Sequence, residues 1–163
     1  MTDQRRTVRR EDGRLLDVLT IGPEDGLPLI FHNGTPGGLQ GFASMTSEAS
    51  SRGLRTVMYG RPGYGGSTPC PGRRVVDAAE DVAAVLDGLG ADSFVTIGWS
   101  GGGPHALACA ARLPGRCLAA ATMAGVAPFW GPKTAEAPRG PHSGLSTSQA
   151  TRMEVWAKRG SRP

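Results

Sequence analysis

Five consecutive residues, Gly98-Trp99-Ser100-Gly101-Gly102, carry the clearest chemical signal in this chain of 163 residues. They follow the apolar run Phe94-Val95-Thr96-Ile97 and precede a helix-forming stretch that starts at Gly103. A serine at the centre of G-x-S-x-G, placed at a strand-to-helix corner, is the pattern of a nucleophile elbow. The corner is so tight that the serine takes a strained backbone, and its neighbours must lack bulky Cβ groups. Gly98, Gly101 and Gly102 meet that demand, and Ser100 then stands at the positive end of the following helix dipole. The chemistry on offer is attack on an acyl carbonyl, whose developing alkoxide needs two preorganised backbone N–H donors.

A hydroxyl nucleophile also needs a histidine base and a carboxylate to orient it, and at such an elbow both follow the serine in chain order. Well downstream of Ser100 there is one histidine, His142, in a stretch with no strand or helix periodicity. Glu136 and His142 have the right types and order, yet nothing frames them with strands, and they read as solvent-exposed tail residues. His105, five residues beyond Ser100 on the same predicted helix, lies about 7.5 Å along its axis. Helical side chains lean back toward the helix start, so His105 is a neighbour of the elbow and a poorly aimed base. His32 precedes the serine and ends a strand, which suits a brace for the loop that follows it. Trp99 lines an acyl pocket, supports that loop or is simply a buried aromatic; the sequence does not separate the three.

The elements that must position these residues are legible from their periods. Thr7–Arg10 and Leu15–Ile21 flank an Asp12-Gly13 turn and form an antiparallel edge pair. Leu29-Ile30-Phe31-His32 is a buried strand that delivers the glycine-rich loop Gly34-Thr35-Pro36-Gly37-Gly38. A helix over 42–52 stops at Gly53, and Arg55–Tyr59 is the next strand. Val75, Val76, Ala79, Val82, Ala83, Leu86 and Leu89 recur at helical spacing, with acidic residues opposite them. Phe94–Ile97 is the central strand, the helix from Gly103 to Arg112 follows, and Leu118–Met123 is one more strand. Alternation of strands and helices from Leu29 onward gives an α/β class: a mostly parallel sheet with helices on both faces.

With that frame in place, residues from about Thr7 to Phe129 resemble the amino-terminal part of the α/β-hydrolase superfamily. Three motifs carry the resemblance in the expected order: His32-Asn33-Gly34-Thr35-Pro36-Gly37, Arg61-Pro62-Gly63-Tyr64-Gly65-Gly66-Ser67, and Gly98 through His105. The resemblance implies Ser100 as nucleophile and the backbone amides of Thr35 and Gly101 as the oxyanion hole. It also implies support of the oxyanion loop by His32 and Gly34, and an elbow built from Gly98, Trp99 and Gly102. Relatives often carry an acid directly before Arg-Pro-Gly-Tyr-Gly; here Gly60 stands there, which removes a local brace. The late acid and histidine loops and the substrate-covering cap are not recognisable, so the α/β-hydrolase core reads as incomplete at its carboxyl end.

Composition narrows the partners. The net charge is +4, but residues 1–129 hold twelve Lys and Arg against twelve Asp and Glu, while 130–163 hold six against two. The surplus lies in the tail and describes no binding face. Residues 1–129 are therefore taken as the core and 130–163 as an irregular or disordered basic tail, with a short helix over 151–158. Three cysteines form no framework and suit a reducing cytoplasm, and no signal peptide or membrane span is read. The glycines of the elbow do not fit a dinucleotide fingerprint, and no P-loop, metal cluster or nucleic-acid motif is present, so no cofactor and no metal are expected. The partner is a small-molecule acyl substrate: ester, lactone, amide or amino-terminal prolyl peptide. A haloalkane is disfavoured, because that displacement uses a carboxylate nucleophile.

Three readings compete. The chain is a truncated or frame-shifted serine hydrolase of impaired activity, a non-catalytic ligand-binding or regulatory protein that keeps the pocket, or an enzyme completed by a partner chain. A sheet that ends at Leu118–Met123 leaves an unpaired edge, through which a dimeric or aggregation-prone product is expected.

Overall fold

The computed structural model describes residues 3–126 and the backbone of 153–157. Its strands are β1 (Asp3–Arg9), β2 (Leu15–Ile21), β3 (Leu27–His32), β4 (Leu54–Tyr59), β5 (Phe94–Trp99), β6 (Cys117–Met123) and β7 (Met153–Ala157). The helices are α1 (Ala43–Ser51), α2 (Ala78–Gly88) and α3 (Gly103–Arg112). All seven strands join one sheet in the order β1-β2-β4-β3-β5-β6-β7. The four central strands β4, β3, β5 and β6 are parallel, while β1, β2 and β7 pair antiparallel at the flanks. Among the described residues no helix is long and apolar enough to cross a membrane.

Alternating side chains divide the apolar residues between two faces. Leu16, Val18, Ile30, Val57 and Phe94 pack with Val82, Val85 and Leu86 of α2 and Cys109 of α3 in the larger core. On the other face Ile21, Phe31 and Met58 pack with Leu19, Met45 and Ile97 near α1. Helix α2 follows a 3-10 turn at Val75–Asp77 and places Glu80 and Asp81 in its first turn, where carboxylates meet the positive end of the dipole. It stops at Gly90, whose φ of +67° is the left-handed conformation that favours glycine at a helix end.

Chain direction determines where a site can form. From β3 the chain passes through α1 to β4 on one side, then returns across β3 through α2 to β5 on the other side. The carboxyl ends of β3 and β5 are therefore adjacent at the point where the strand order reverses, the crevice in which open α/β sheets bind ligands. His32 is paired in register with Gly98, so the glycine-rich loop and the serine corner leave the sheet side by side.

Two expectations are corrected. Residues 153–157 are a strand rather than part of a helix, and this strand pairs with β6 from Ala119↔Ala157 to Met123↔Met153. The expected free edge of β6 is thus covered, because unpaired backbone groups of a sheet edge override a weak helical preference in the segment that reaches them. The expected boundary at 129/130, together with Glu136 and His142, lies outside the described residues.

Candidate active site

Ser100 sits immediately beyond β5 with φ of +51°, in a 3-10 turn, Ser100–Gly102, that leads directly into α3. A non-glycine residue there is strained by roughly 1–3 kcal/mol, so the surrounding contacts must hold it. Those contacts are backbone on backbone. A Cβ on Gly98 would come within 2.3 Å of the Gly102 carbonyl oxygen, and one on Gly102 within 2.0 Å of the His32 carbonyl oxygen. No real Cβ makes such contacts. The corner closes because both positions are glycine, and it is pressed against the end of β3.

That pressure brings the two loops together. A Cβ on Gly101 would lie 2.8 Å from Thr35 Oγ1 and 3.3 Å from the Thr35 backbone nitrogen, and one on Gly34 would lie 3.4 Å from Ser100 Cβ. Thr35 N–H makes no hydrogen bond to another described residue, so a donor is free beside the serine. Asn33 Nδ2 donates to the Gly38 carbonyl at 2.6 Å and ties the loop to itself.

Arg61, in the loop after β4, holds the same segment from behind. Its Nη1 donates to the Asn33 carbonyl at 3.1 Å, and its Nη2 donates to the Gly34 carbonyl at 2.9 Å and to Thr35 Oγ1 at 3.1 Å. Its own loop is fixed from β2, where Asp17 Oδ2 accepts the Gly66 N–H at 3.0 Å. Ser67 Oγ accepts the Asp17 N–H at 2.9 Å and donates to the Gly60 carbonyl at 2.6 Å. The sequence named Arg61 in a motif without a role. Its signal is a cation two residues beyond the buried strand Val57-Met58-Tyr59. Gly60 is explained as well: a Cβ there would lie 2.6 Å from the Tyr64 carbonyl oxygen and 2.8 Å from Ser67 Oγ. Asp17 and Ser67 supply the brace that an acid at position 60 would give.

Both nearby histidines are buried and face away from proton transfer at neutral pH. His105 Nδ1 donates to the Gly101 carbonyl at 3.0 Å, and its ring lies against that of His32 with centroids 6.1 Å apart. Burial, followed by the Arg61 charge, pulls His105 down to about 4, and burial with His105 and Arg61 pulls His32 down to about 3. Groups so hard to protonate are weak general bases at pH 7. His32 Nε2 lies 3.6 Å from Cys109 Sγ, whose thiol is pushed up to about 12 by burial and is inert. Among the described residues Ser100 Oγ has no hydrogen-bond partner, and no group of three or more side chains could hold a metal ion.

A cleft of about 540 Å³ opens beside the serine corner, lined by Asn33, Gly37, Gln40, Gly41, Phe42 and Trp99. Trp99 is 40 % exposed, so it is not a buried aromatic. Its ring meets Phe42 edge-on at 5.2 Å, and Phe42 meets Phe31 at 6.1 Å, an aromatic file from core to cleft. Phe42 was missed by the sequence reading, since one aromatic before a short polar helix gives no periodic signal.

Comparison with known proteins bears on the fold. A sequence model of the alpha/beta hydrolase fold matches residues 28–150. The chain is 35% identical over 124 residues to a non-heme chloroperoxidase of Streptomyces lividans, covering 75% of this chain and 45% of that protein. It is 32% identical over 134 residues to a bifunctional esterase/perhydrolase of Acinetobacter calcoaceticus, covering 82% and 49%. The chain thus spans about half the length of these curated relatives. Among solved structures, an epoxide hydrolase from hot-environment metagenomes superposes with a TM-score of 0.63 at 27% identity, covering 77% of this chain and 43% of that one. Epoxide hydrolase A of Mycobacterium thermoresistibile gives 0.66 at 22% identity, covering 75% and 39%, a likeness of fold alone.

Proposed function

The chain belongs to the alpha/beta hydrolase fold family, and from that premise we propose that it is built for attack by Ser100 on the carbonyl carbon of an ester, amide or related acyl substrate. The observation that carries this reading is the meeting of a strained serine with two backbone amides from different strand ends: Gly101 on the corner after β5 and Thr35 on the loop after β3. A serine hydroxyl suits a carbonyl carbon, and one curated relative is named as an esterase. In the reaction a bond forms between Ser100 Oγ and the carbonyl carbon, and the C=O electron pair moves to oxygen, where the N–H groups of Thr35 and Gly101 receive it. The Oγ proton passes to a base outside the described residues, since His32 and His105 are held neutral by burial and His105 is committed to the Gly101 carbonyl. Collapse of the adduct returns that proton to the leaving group. The three cysteines are free, which fits a reducing cytoplasm.

The test is covalent labelling of the full-length chain by a fluorophosphonate, read by intact mass and peptide mapping, beside turnover of a chromogenic ester. Labelling at Ser100 and ester cleavage that both vanish in Ser100→Ala are expected. Saturable ester binding without labelling or turnover would instead identify a binding protein that retains the pocket.

A further inference from the structure

Arg61 is a charge without a counter-charge. Its side chain belongs to a residue only 5% exposed, and among the described residues no carboxylate lies within ion-pair distance of it. The buried carboxylates of the described core are matched, Asp17 with Arg5 and Asp81 with Arg10 and Arg14. The other buried arginine without a carboxylate, Arg55, donates to the Glu24 carbonyl and Thr20 Oγ1 and touches no part of the serine corner. Buried arginines are ordinarily paired, because removing a cation from water is costly. The acid that could have sat next to it is excluded, since position 60 has no room for a Cβ. All three hydrogen-bond acceptors of the guanidinium, the carbonyls of Asn33 and Gly34 and the Thr35 hydroxyl, lie on the loop that carries the free Thr35 N–H. Neutral amides could satisfy those acceptors, so the retained charge calls for a separate account.

We propose that Arg61 is a positioning residue for acyl transfer. Its guanidinium fixes the Asn33–Thr35 peptides so that Thr35 N–H faces the reacting oxygen, and its unmatched positive charge is balanced only when the tetrahedral anion forms on Ser100. The fork of the guanidinium supplies the geometry by binding two carbonyls and a hydroxyl together. Its charge, buried beneath the loop, attracts the developing negative charge and does little for the neutral substrate. The inference rests on the acyl-transfer reading given above.

The experiment measures binding of two probes to the full-length chain by calorimetry or fluorescence. Phenylboronic acid adds to Ser100: Oγ bonds to boron, the Oγ proton leaves to solvent, and boron takes the negative charge. Benzamide is the neutral counterpart. In folded Arg61→Gln, boronate affinity falls by about tenfold or more while benzamide affinity stays within about twofold. Arg61→Lys keeps the charge and loses the fork, so its boronate affinity falls to a value between those of wild type and Arg61→Gln. If Arg61→Gln does not melt cooperatively, Arg61→Met, which leaves no new polar group to satisfy, takes its place in the comparison. Equal losses for both probes, or a loss in Arg61→Lys as large as in Arg61→Gln, would overturn the assignment. Ser100→Ala separates the two levels. If wild type binds boronate no more tightly than Ser100→Ala, the acyl-transfer reading fails and the role of Arg61 fails with it. If Ser100→Ala loses boronate and the charge-free Arg61 variants do not, only the role of Arg61 falls.

Discussion

The two faces of the sheet are built to different standards. Under α2 and α3, Val18, Ile30, Val57, Val82, Val85, Leu86, Phe94 and Cys109 are all fully buried. On the α1 face the buried core is Ile21, Phe31 and Met58, and the aromatic file continues into Phe42 and Trp99, 45% and 40% exposed. Helix α1 is largely polar, Ala43-Ser44-Met45-Thr46-Ser47-Glu48-Ala49-Ser50-Ser51, and buries only Thr46 and Ala49. The cleft opens on this second face, and the corner that presents Ser100 is anchored through α3 to the first. One face supplies rigidity to the serine, while the other leaves apolar surface free for a ligand. This division matches the rule that functional sites come from the less stable parts of a structure.

Substituting the same residue type on each face gives the sharpest contrast. Phe94→Ala, at a fully buried position, is expected to cost about 3–5 kcal/mol in urea unfolding. Phe42→Ala, half exposed beside the cleft, is expected to cost about 1 kcal/mol or less. Equal losses would abolish the distinction between the faces.

The next effect is in acid and belongs to the sealed face. His32 packs there between Tyr59, Cys109 and His105, and both histidines have folded-state values far below their ordinary 6.5, about 3 and about 4. The unfolded chain therefore binds more protons than the folded one between 6.5 and those values, and stability falls as pH falls through this window. The slope is about 1.4 kcal/mol per pH unit for each histidine while its unfolded form is protonated and its folded form is not. Unfolding followed from pH 7.5 to 4.5 should show full stability above about pH 6.5 and a steep loss below it. His32→Gln should flatten that loss, and a pH-independent midpoint in wild type would contradict the burial of both rings.

The smallest effect lies at the join of the faces. Ser100→Gly removes the Cβ from a residue at φ of +51° and should stabilise the chain by about 1 kcal/mol, read as a raised urea midpoint, while abolishing labelling. A destabilised variant would mean that the serine is not strained there. Stability gained at the expense of chemistry would mark the position as held for function.

Much of the scaffold was legible because its signals are local. The spacing of Val82, Leu86 and Leu89 marks α2, and the helix expected from Gly103 to Arg112 coincides with α3. The Asp12-Gly13 turn places the first antiparallel pair, although β1 begins earlier, at Asp3, because the edge of β2 offers partners that far along. The segment at 153–157 reads from its sequence as irregular tail with a short helix, and not as a strand, since its strand state depends on the distant edge of β6. Arg61 shows the same limit in the site: its three acceptors lie 26 to 28 residues away in the chain, and no local pattern connects them.

The sequence alone determined the corner at Ser100, because a serine at positive φ needs glycines at fixed offsets and those offsets are written within five residues. It also determined the α/β alternation, because period and punctuation are properties of short windows. Tertiary structure decided the meeting of Thr35 with Gly101, the clamp by Arg61 and the exposure of Trp99. Each depends on β3 lying between β4 and β5, a sheet order that arises from how crossovers bury the faces and is encoded in no single stretch of chain.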